Sequence, residues 1–189
     1  AYPHYMKQAG YQTFAAHNHF KKFWRRDVVN PKLGFSEFVG LEDMNYEGEI
    51  WAQDSILFDT ALTRLRKDAN PKFLYLSTVH LHGAYKREND LGEGDYYSRL
   101  SLTMSQMAEF IDEALKIEPD TLIVTFGDHK PALTSFFFAH GILPRDQFSD
   151  IGNNDFDFQF AHGFRRDIRG YAPVSADYQD QAPLSQMTR

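Results

Sequence analysis

The chain has 189 residues, of which 42% are hydrophobic and 24% charged, so it can form one domain with a buried core, and extensive disorder is excluded. Its formal net charge of -6 gives no general electrostatic reason to bind nucleic acid, which we exclude as a partner. It contains no cysteine, which excludes disulfides, thiolate metal sites and a cysteine nucleophile, and no apolar run reaches the roughly 20 residues of a membrane span.

The first part of the chain predicts two helices and a strand. The stretch "PHYMKQAG" has a proline in its first turn and Gly10 at its end, which is typical of a short helix. The stretch "YQTFAA" is rich in β-branched and aromatic residues, which predicts a strand. Residues 54–67, "DSILFDTALTRLRK", predict a helix that Asp54 would cap. The predicted buried face of this helix consists of Leu57, Phe58, Ala61, Leu62 and Leu65.

The next part predicts two more strands around a long helix. The run "KFLYLSTV" is apolar almost throughout, which is typical of a strand covered on both faces. Residues 96–116 predict the helix, residues 121–126, "TLIVTF", predict the following strand, and "ALTSFFFAHGILP" is consistent with a short helix. The apolar stripe of the long helix consists of Leu100, Met104, Met107, Ala108, Ile111 and Leu115. This alternation predicts an α/β fold, a layered α/β/α sandwich with a mostly parallel sheet.

Each of the three predicted strands is followed by a segment that contains histidine. In open parallel sheets, ligands bind beyond the carboxyl ends of the strands, because loops from several strands converge there. A carboxylate with neutral imidazoles is a good ligand set for zinc or manganese, and Gly127 would allow a sharp turn. The rim is therefore a candidate metal site, while a turn with a surface histidine is the alternative for any single segment. The three segments are His17, Asn18 and His19; His80, Leu81 and His82; and Gly127, Asp128 and His129.

The basic aromatic segment "FKKFWRRD" follows the first of these strand ends. One interpretation is an anion clamp, in which Trp24 forms a wall and Arg26 offers the planar fork that matches phosphate or sulfate oxygens. The alternative is a solvated helix surface with Trp24 packed in the core.

The ordered set of motifs resembles the alkaline-phosphatase and sulfatase superfamily, and most of all its phosphoglycerol-transferase branch, which includes lipoteichoic acid synthase. The matching stretches, "YPHYMKQAGYQTFAAHNH", "FWRRDVVNPKLGF", "IWAQDSILFD", "STVHLHGAY" and "TLIVTFGDHKP", fall within residues 2–131. The resemblance implies an alkaline-phosphatase-like fold, with residues 1–175 as the C-terminal part of a sulfatase-like catalytic domain and residues 176–189 as a poorly ordered tail.

The resemblance also implies roles for five residues. Asp128 and His129 match the pair that binds one divalent metal, manganese or zinc. His82 matches the histidine that contacts the substrate phosphate or the leaving group, and Trp24 and Arg26 match the pair that holds the phospho head group. The sequence departs from the family at "HGAY", which has alanine in place of the usual proline, and at "WAQD", which replaces the commoner "WGxxD". These departures leave the metal pair intact and put the identity of the head group in question.

The implied activity is metal-dependent transfer of phosphoglycerol, or a related phospho head group, from a phospholipid donor to a glycan or glycerol-phosphate acceptor. The implied location is the cell membrane, with the catalytic domain periplasmic or extracellular. In the family a glutamate ligand and a nucleophilic threonine precede the matching segment. We therefore expect the metal ligands in this chain to be incomplete, the membrane attachment to come from an N-terminal segment, and the chain alone to be inactive.

Two alternatives stay open at the level of sequence. The first is a sulfatase or phosphodiesterase that hydrolyses its substrate, although the Cys-x-Pro-x-Arg or Ser-x-Pro-x-Arg motif of a sulfatase does not occur in these residues. The second is a non-catalytic metal-binding or anion-binding module in which His80, His82, Asp128 and His129 complete a site internally. His162 would be a further ligand only in a two-metal enzyme.

Overall fold

Helices and strands alternate along the described chain up to a long fourth helix, which a fifth helix follows. The computed structural model describes residues 1–48, 51–128 and 130–142, so His129, His162 and the predicted tail at 176–189 lie outside the described residues. The helices are α1 (Tyr2–Gln8), α2 (Arg26–Leu33), α3 (Ser55–Arg66), α4 (Glu93–Ile117) and α5 (Thr134–Ala139), and the strands are β1 (Gln12–His17), β2 (Glu37–Val39) and β3 (Lys72–Ser77). Short 3-10 turns occupy Phe23–Arg25 and Leu41–Asp43.

The three strands form one parallel sheet in the order β2-β1-β3, which confirms the prediction of an α/β fold with parallel strands. Strand β1 is central, and its side chains Phe14, Ala15 and Ala16 are buried. Strands β1 and β3 pair in register, so that His17 lies opposite Ser77 at their carboxyl ends. This edge of the sheet carries the first two predicted strand-end segments.

Helix α3 buries the face that the sequence predicts. Its buried residues are Leu57, Phe58, Ala61, Leu62 and Leu65, and Leu57 packs with Phe14 and Ala16 of β1. The predicted cap is wrong in one respect. Asp54 occupies the N-cap position, but its side chain makes no capping hydrogen bond and is fully buried instead. Its carboxylate faces the interior, where it accepts hydrogen bonds from other donors and not from the N–H groups of the first helical turn.

The predicted long helix is confirmed as α4, but its buried face is rotated from the predicted apolar stripe. Thr103 and Ala114 are buried, and Phe110 stacks on Phe58 of α3 with ring centroids 4.9 Å apart. Met104 and Leu115, which belong to the predicted stripe, are 49% and 37% exposed. The stripe was misplaced because Thr103 is polar: its hydroxyl donates to a buried oxygen of Asp54 at 3.0 Å, so a polar residue lies on the inner face.

Two predictions about strands are wrong. Residues 121–127 have no regular structure, and Leu122, Val124 and Phe126 are 87%, 71% and 64% exposed. An apolar run becomes a strand only where a neighbouring strand pairs with it, and within the described residues this segment has none. Strand β3 was predicted to be covered on both faces, but Tyr75 is 42% exposed.

The described chain divides into two compact units. The first contains residues 1–82 and 96–123 and includes the sheet. The second contains residues 83–95 and the chain from 124 onward, where α5 confirms the predicted short helix. In the second unit Tyr85 and Leu133 are buried, and the Asp90 carboxylate accepts backbone hydrogen bonds from Gly92 and Gly94. In the described part of the chain, no helix combines the length and apolar character needed to cross a membrane.

Leu57→Ala is expected to lower the free energy of unfolding by about 3 kcal/mol, because it leaves a cavity between α3 and the sheet. Leu57 is 0% exposed, whereas Leu115 on α4 is 37% exposed. The matched change Leu115→Ala should cost about 0.5 kcal/mol or less. Urea unfolding followed by circular dichroism measures both values, and equal losses for the two variants would contradict this description of the core.

Candidate functional site

His17, the last residue of β1, presents an unpaired ring nitrogen at the carboxyl edge of the sheet. The side chain is 2% exposed, and its Nδ1 lies 2.8 Å from the carbonyl oxygen of Ser77 on β3. Because a carbonyl only accepts, Nδ1 must carry the proton, and in the neutral ring Nε2 then has a free lone pair. Nε2 is buried without a hydrogen-bond partner among the described residues. His17 therefore offers a buried acceptor.

The ring of His19 presents a hydrogen-bond donor, whereas the ring of His17 presents an acceptor. The Nδ1 of His19 accepts a hydrogen bond from the backbone N–H of Phe20 at 2.8 Å, so in the neutral ring the proton is on Nε2. This Nε2 is also buried and has no partner within the described residues. The His17 and His19 rings are stacked with centroids 5.9 Å apart. Two adjacent imidazoles thus present one buried acceptor and one buried donor.

Both rings are kept neutral at physiological pH. Burial lowers the pKa of His17 to about 4, against the raising effect of its Ser77 hydrogen bond and with smaller lowering effects from Arg26 and the other histidines. Burial also lowers the pKa of His19, with His82 and Arg26 acting in the same direction and Glu42 opposing them. The tautomers set by the two backbone hydrogen bonds are therefore the forms that a ligand meets.

The turn after β3 contributes His82, and the Trp51 ring lies beside the rings of both His82 and His19. The Trp51 ring stacks on His82, with centroids 4.7 Å apart and planes 11° apart, and its distance from the His19 ring is 5.2 Å. The backbone N–H of His82 donates to the carbonyl of Val79 at 2.8 Å, which closes a tight turn. We call His17, His19, His82 and Trp51 the imidazole cluster. It brings together the first two predicted strand-end segments, as the parallel sheet requires.

The predicted anion clamp lies beside the imidazole cluster. Trp24 is 62% exposed, so the alternative that it packs in the core is wrong. Trp24 and Arg25 have φ values of 54° and 51°, a left-handed backbone that costs about 1 to 3 kcal/mol per non-glycine residue and is commonest at functional sites. Arg26 follows at the start of α2, half-buried, and its guanidinium is close enough to lower the pKa of both His17 and His19. This corner of the site is electropositive.

The predicted metal pair, Asp128 and His129, stays a prediction. Asp128 is an exposed residue in a bend of the second compact unit, and His129 lies outside the described residues. Within residues 1–48, 51–128 and 130–142, no group of three or more histidine, aspartate or glutamate side chains is arranged to hold a metal ion. The donors that the structure describes do not by themselves complete a metal site.

Sequence reasoning assigned three members of the site no role in binding a head group. His17 and His19 were considered only as possible metal ligands, and Trp51 only as part of the motif "WAQD". A signal for His17 was available, because the carboxyl end of a central parallel strand lies at the edge of the sheet where ligands bind. The buried donor on His19 depends on one local backbone hydrogen bond, and no sequence pattern announces it.

Comparison with known proteins identifies a family and two relatives whose names concern polysaccharides. The family model described as Sulfatase matches residues 2–161. The chain is 28% identical over 159 residues to a Rhizobium meliloti (strain 1021) protein named for the modification of cyclic beta-1,2-glucan, covering 74% of this chain and 25% of that protein. It is 25% identical over 144 residues to the capsular polysaccharide biosynthesis protein RkpI of the same organism, covering 71% of this chain and 27% of RkpI. The chain thus spans about a quarter of the length of these relatives.

A solved structure shares the fold. The lipoteichoic acid synthase LtaP from Listeria monocytogenes matches with a TM-score of 0.60 at 24% identity, over 77% of this chain and 39% of LtaP. At this level of identity the match shows the fold alone, an alkaline-phosphatase-like α/β arrangement, and it confirms the predicted fold class.

Proposed function

Because this chain belongs to the Sulfatase family, whose model matches residues 2–161, we propose that it binds the phospho head group in an enzyme that transfers phosphoglycerol, or a related group, to a cell-envelope glycan. The names of two relatives support a glycan acceptor, since one concerns a cyclic glucan and the other a capsular polysaccharide. The donor would be a phospholipid, and the catalytic domain would be periplasmic or extracellular at the cell membrane.

The observation that carries this proposal is a pair of buried ring nitrogens near Arg26, Nε2 of His17 and Nε2 of His19, which have no hydrogen-bond partner among the described residues. A glycerol phosphodiester presents anionic oxygens, which need donors, and hydroxyl groups, which need an acceptor. The Arg26 guanidinium and Nε2–H of His19 can donate to the oxygens, while the lone pair on Nε2 of His17 can accept from a hydroxyl. Sulfate, which is fully deprotonated near neutral pH, would leave the His17 acceptor without a hydrogen to bind.

The roles of the other residues in binding the head group are those that the family resemblance implies. The Arg26 fork would hold two phosphate oxygens, and the exposed Trp24 ring would pack against the glycerol carbons. His82, fixed by its stacking on Trp51, would contact the phosphate or the leaving oxygen. In a site where His17 and His19 are desolvated, each of these charged hydrogen bonds is stronger than in water.

The covalent chemistry is expected to need a metal site and a nucleophile that the described residues alone do not complete. A divalent metal, manganese or zinc, would be held in part by Asp128 and His129 and would stabilise charge on the transferred group. The threonine nucleophile and glutamate ligand of the family complete this proposal. The chain alone should therefore bind the head group without turning over a phosphodiester.

The proposal is tested by titrating the chain with sn-glycerol 1-phosphate in a calorimeter, with glycerol and inorganic sulfate as matched controls. We expect glycerol phosphate to bind at least about tenfold more tightly than sulfate, because only it satisfies the His17 acceptor. Glycerol alone should show no binding. Equal affinity for sulfate and glycerol phosphate would instead favour the alternative hypothesis, a sulfatase or phosphodiesterase that hydrolyses its substrate. Rapid phosphodiester hydrolysis by the chain that is lost in Asp128→Ala would contradict the expectation of an incomplete site.

A further inference from the structure

Asp54 is a buried carboxylate held entirely by neutral donors. It is 0% exposed. Its Oδ1 accepts from the Asn18 side-chain amide at 2.8 Å and from the backbone N–H groups of Val79 at 3.0 Å and His80 at 3.2 Å. Its Oδ2 accepts from the hydroxyl of Thr103 on α4 at 3.0 Å. A buried charge is tolerated only where such hydrogen bonds replace its hydration, so all four bonds constrain the groups that make them.

Three of these donors, those of Asn18, Val79 and His80, belong to the segments that carry the histidines of the imidazole cluster. Asn18 lies between His17 and His19 in the chain. Val79 and His80 form the turn whose next hydrogen bond, from the His82 N–H to the Val79 carbonyl, positions His82. One carboxylate oxygen therefore links the end of β1 to the turn after β3.

Asn18 extends the same link to Trp51. Its side-chain amide also donates to the carbonyls of Ala52 at 3.1 Å and Gln53 at 3.3 Å. The segment directly after Trp51 is thereby tied to the end of β1. The Trp51 ring, which stacks on His82, is thus anchored from the same point.

We propose that Asp54 is the positioning residue of the imidazole cluster. It does not touch the substrate; it fixes the spacing between the rings of His17, His19 and His82 so that they meet one phospho head group. This inference rests on the proposed function for its ligand. A carboxylate suits the role because three donors converge on a single oxygen, and hydrogen bonds to a charged acceptor are stronger than those to a neutral one.

The test compares Asp54→Ala, Asp54→Asn and Leu57→Ala in the full 189-residue chain. Leu57→Ala serves as the stability control, because Leu57 is equally buried on the same helix and makes no hydrogen bond to the cluster. At a temperature where circular dichroism shows all variants folded, we expect Asp54→Ala to weaken glycerol phosphate binding at least about tenfold. Asp54→Asn keeps an acceptor oxygen and should stay within about threefold of wild type, as should Leu57→Ala. Equal affinities for Asp54→Ala and Leu57→Ala would overturn the proposal.

A second readout needs no ligand. In imidazole nitrogen NMR spectra, Asp54→Ala should move the resonances of His17 and His82 while those of His4 on α1 stay in place. Unchanged His17 and His82 resonances would overturn the positioning role. If Asp54→Ala does not fold, Asn18→Ala, which removes the hydrogen bond between the end of β1 and the Asp54 oxygen, is judged by the same spectra. If wild-type chain binds no glycerol phosphate, the proposed function fails, and the spectra still decide whether Asp54 positions the rings.

Discussion

Lowering the pH from 7 to about 4 is expected to reduce the free energy of unfolding by about 3 kcal/mol through His17 alone. The folded-state pKa of His17 is about 4, against an ordinary value of 6.5, because the ring is buried. Between these two values the unfolded chain binds a proton that the folded chain does not. Stability is therefore greatest above about pH 6.5, declines as the pH falls, and loses no more through this group below about pH 4.

His17→Gln isolates this contribution, since Gln does not titrate and the carboxylates of the chain titrate in both proteins. Urea unfolding at about pH 7 and about pH 4 gives the loss of stability for each. The loss should be smaller by about 3 kcal/mol in the variant than in wild type. Identical losses would show that His17 is protonated in the folded state and that its ring is not desolvated.

The parts of the fold that could be predicted from sequence are those set by local periodicity. Helix α3 shows its buried face in the spacing of its apolar residues, and strand β1 is recognisable from its β-branched and aromatic residues. Strand β2 has only three residues, too few to show a period, and it was not predicted. The exposed run at residues 121–126 was predicted as a strand but is not one. Its composition is typical of a strand, but strand formation also requires a pairing partner that is distant in sequence.

The site was predictable in its location but not in its chemistry. Parallel strands place their carboxyl ends on one edge, so the convergence of the segments with His17 and His82 follows from the fold class. Which nitrogen of each ring is protonated follows from single hydrogen bonds to Ser77 and from Phe20, which only the folded backbone defines. Asp54 illustrates the same limit, because an aspartate at a helix start predicts a cap, whereas here tertiary donors hold its side chain.

Arg26→Ala is expected to weaken glycerol phosphate binding by about 10- to 100-fold, since a hydrogen bond between charged groups contributes about 1.5 to 3 kcal/mol. Arg26→Lys keeps the charge but not the planar fork, so it should recover only part of the loss. Calorimetric titration measures the three affinities. Lys22→Ala is the matched control, because it removes a positive charge from the same basic segment at an exposed position.

The variant Arg26→Ala also has an expected effect that can be measured without a ligand. The Arg26 guanidinium lowers the pKa of both His17 and His19, so Arg26→Ala should raise both pKa values, and Lys22→Ala should raise neither. NMR titration of the imidazole resonances measures these changes. If both pKa values rise while glycerol phosphate affinity is unchanged, Arg26 lies beside the imidazole cluster but does not bind the head group. If neither rises, the electropositive corner described here does not exist in solution, and any loss of affinity must have another origin.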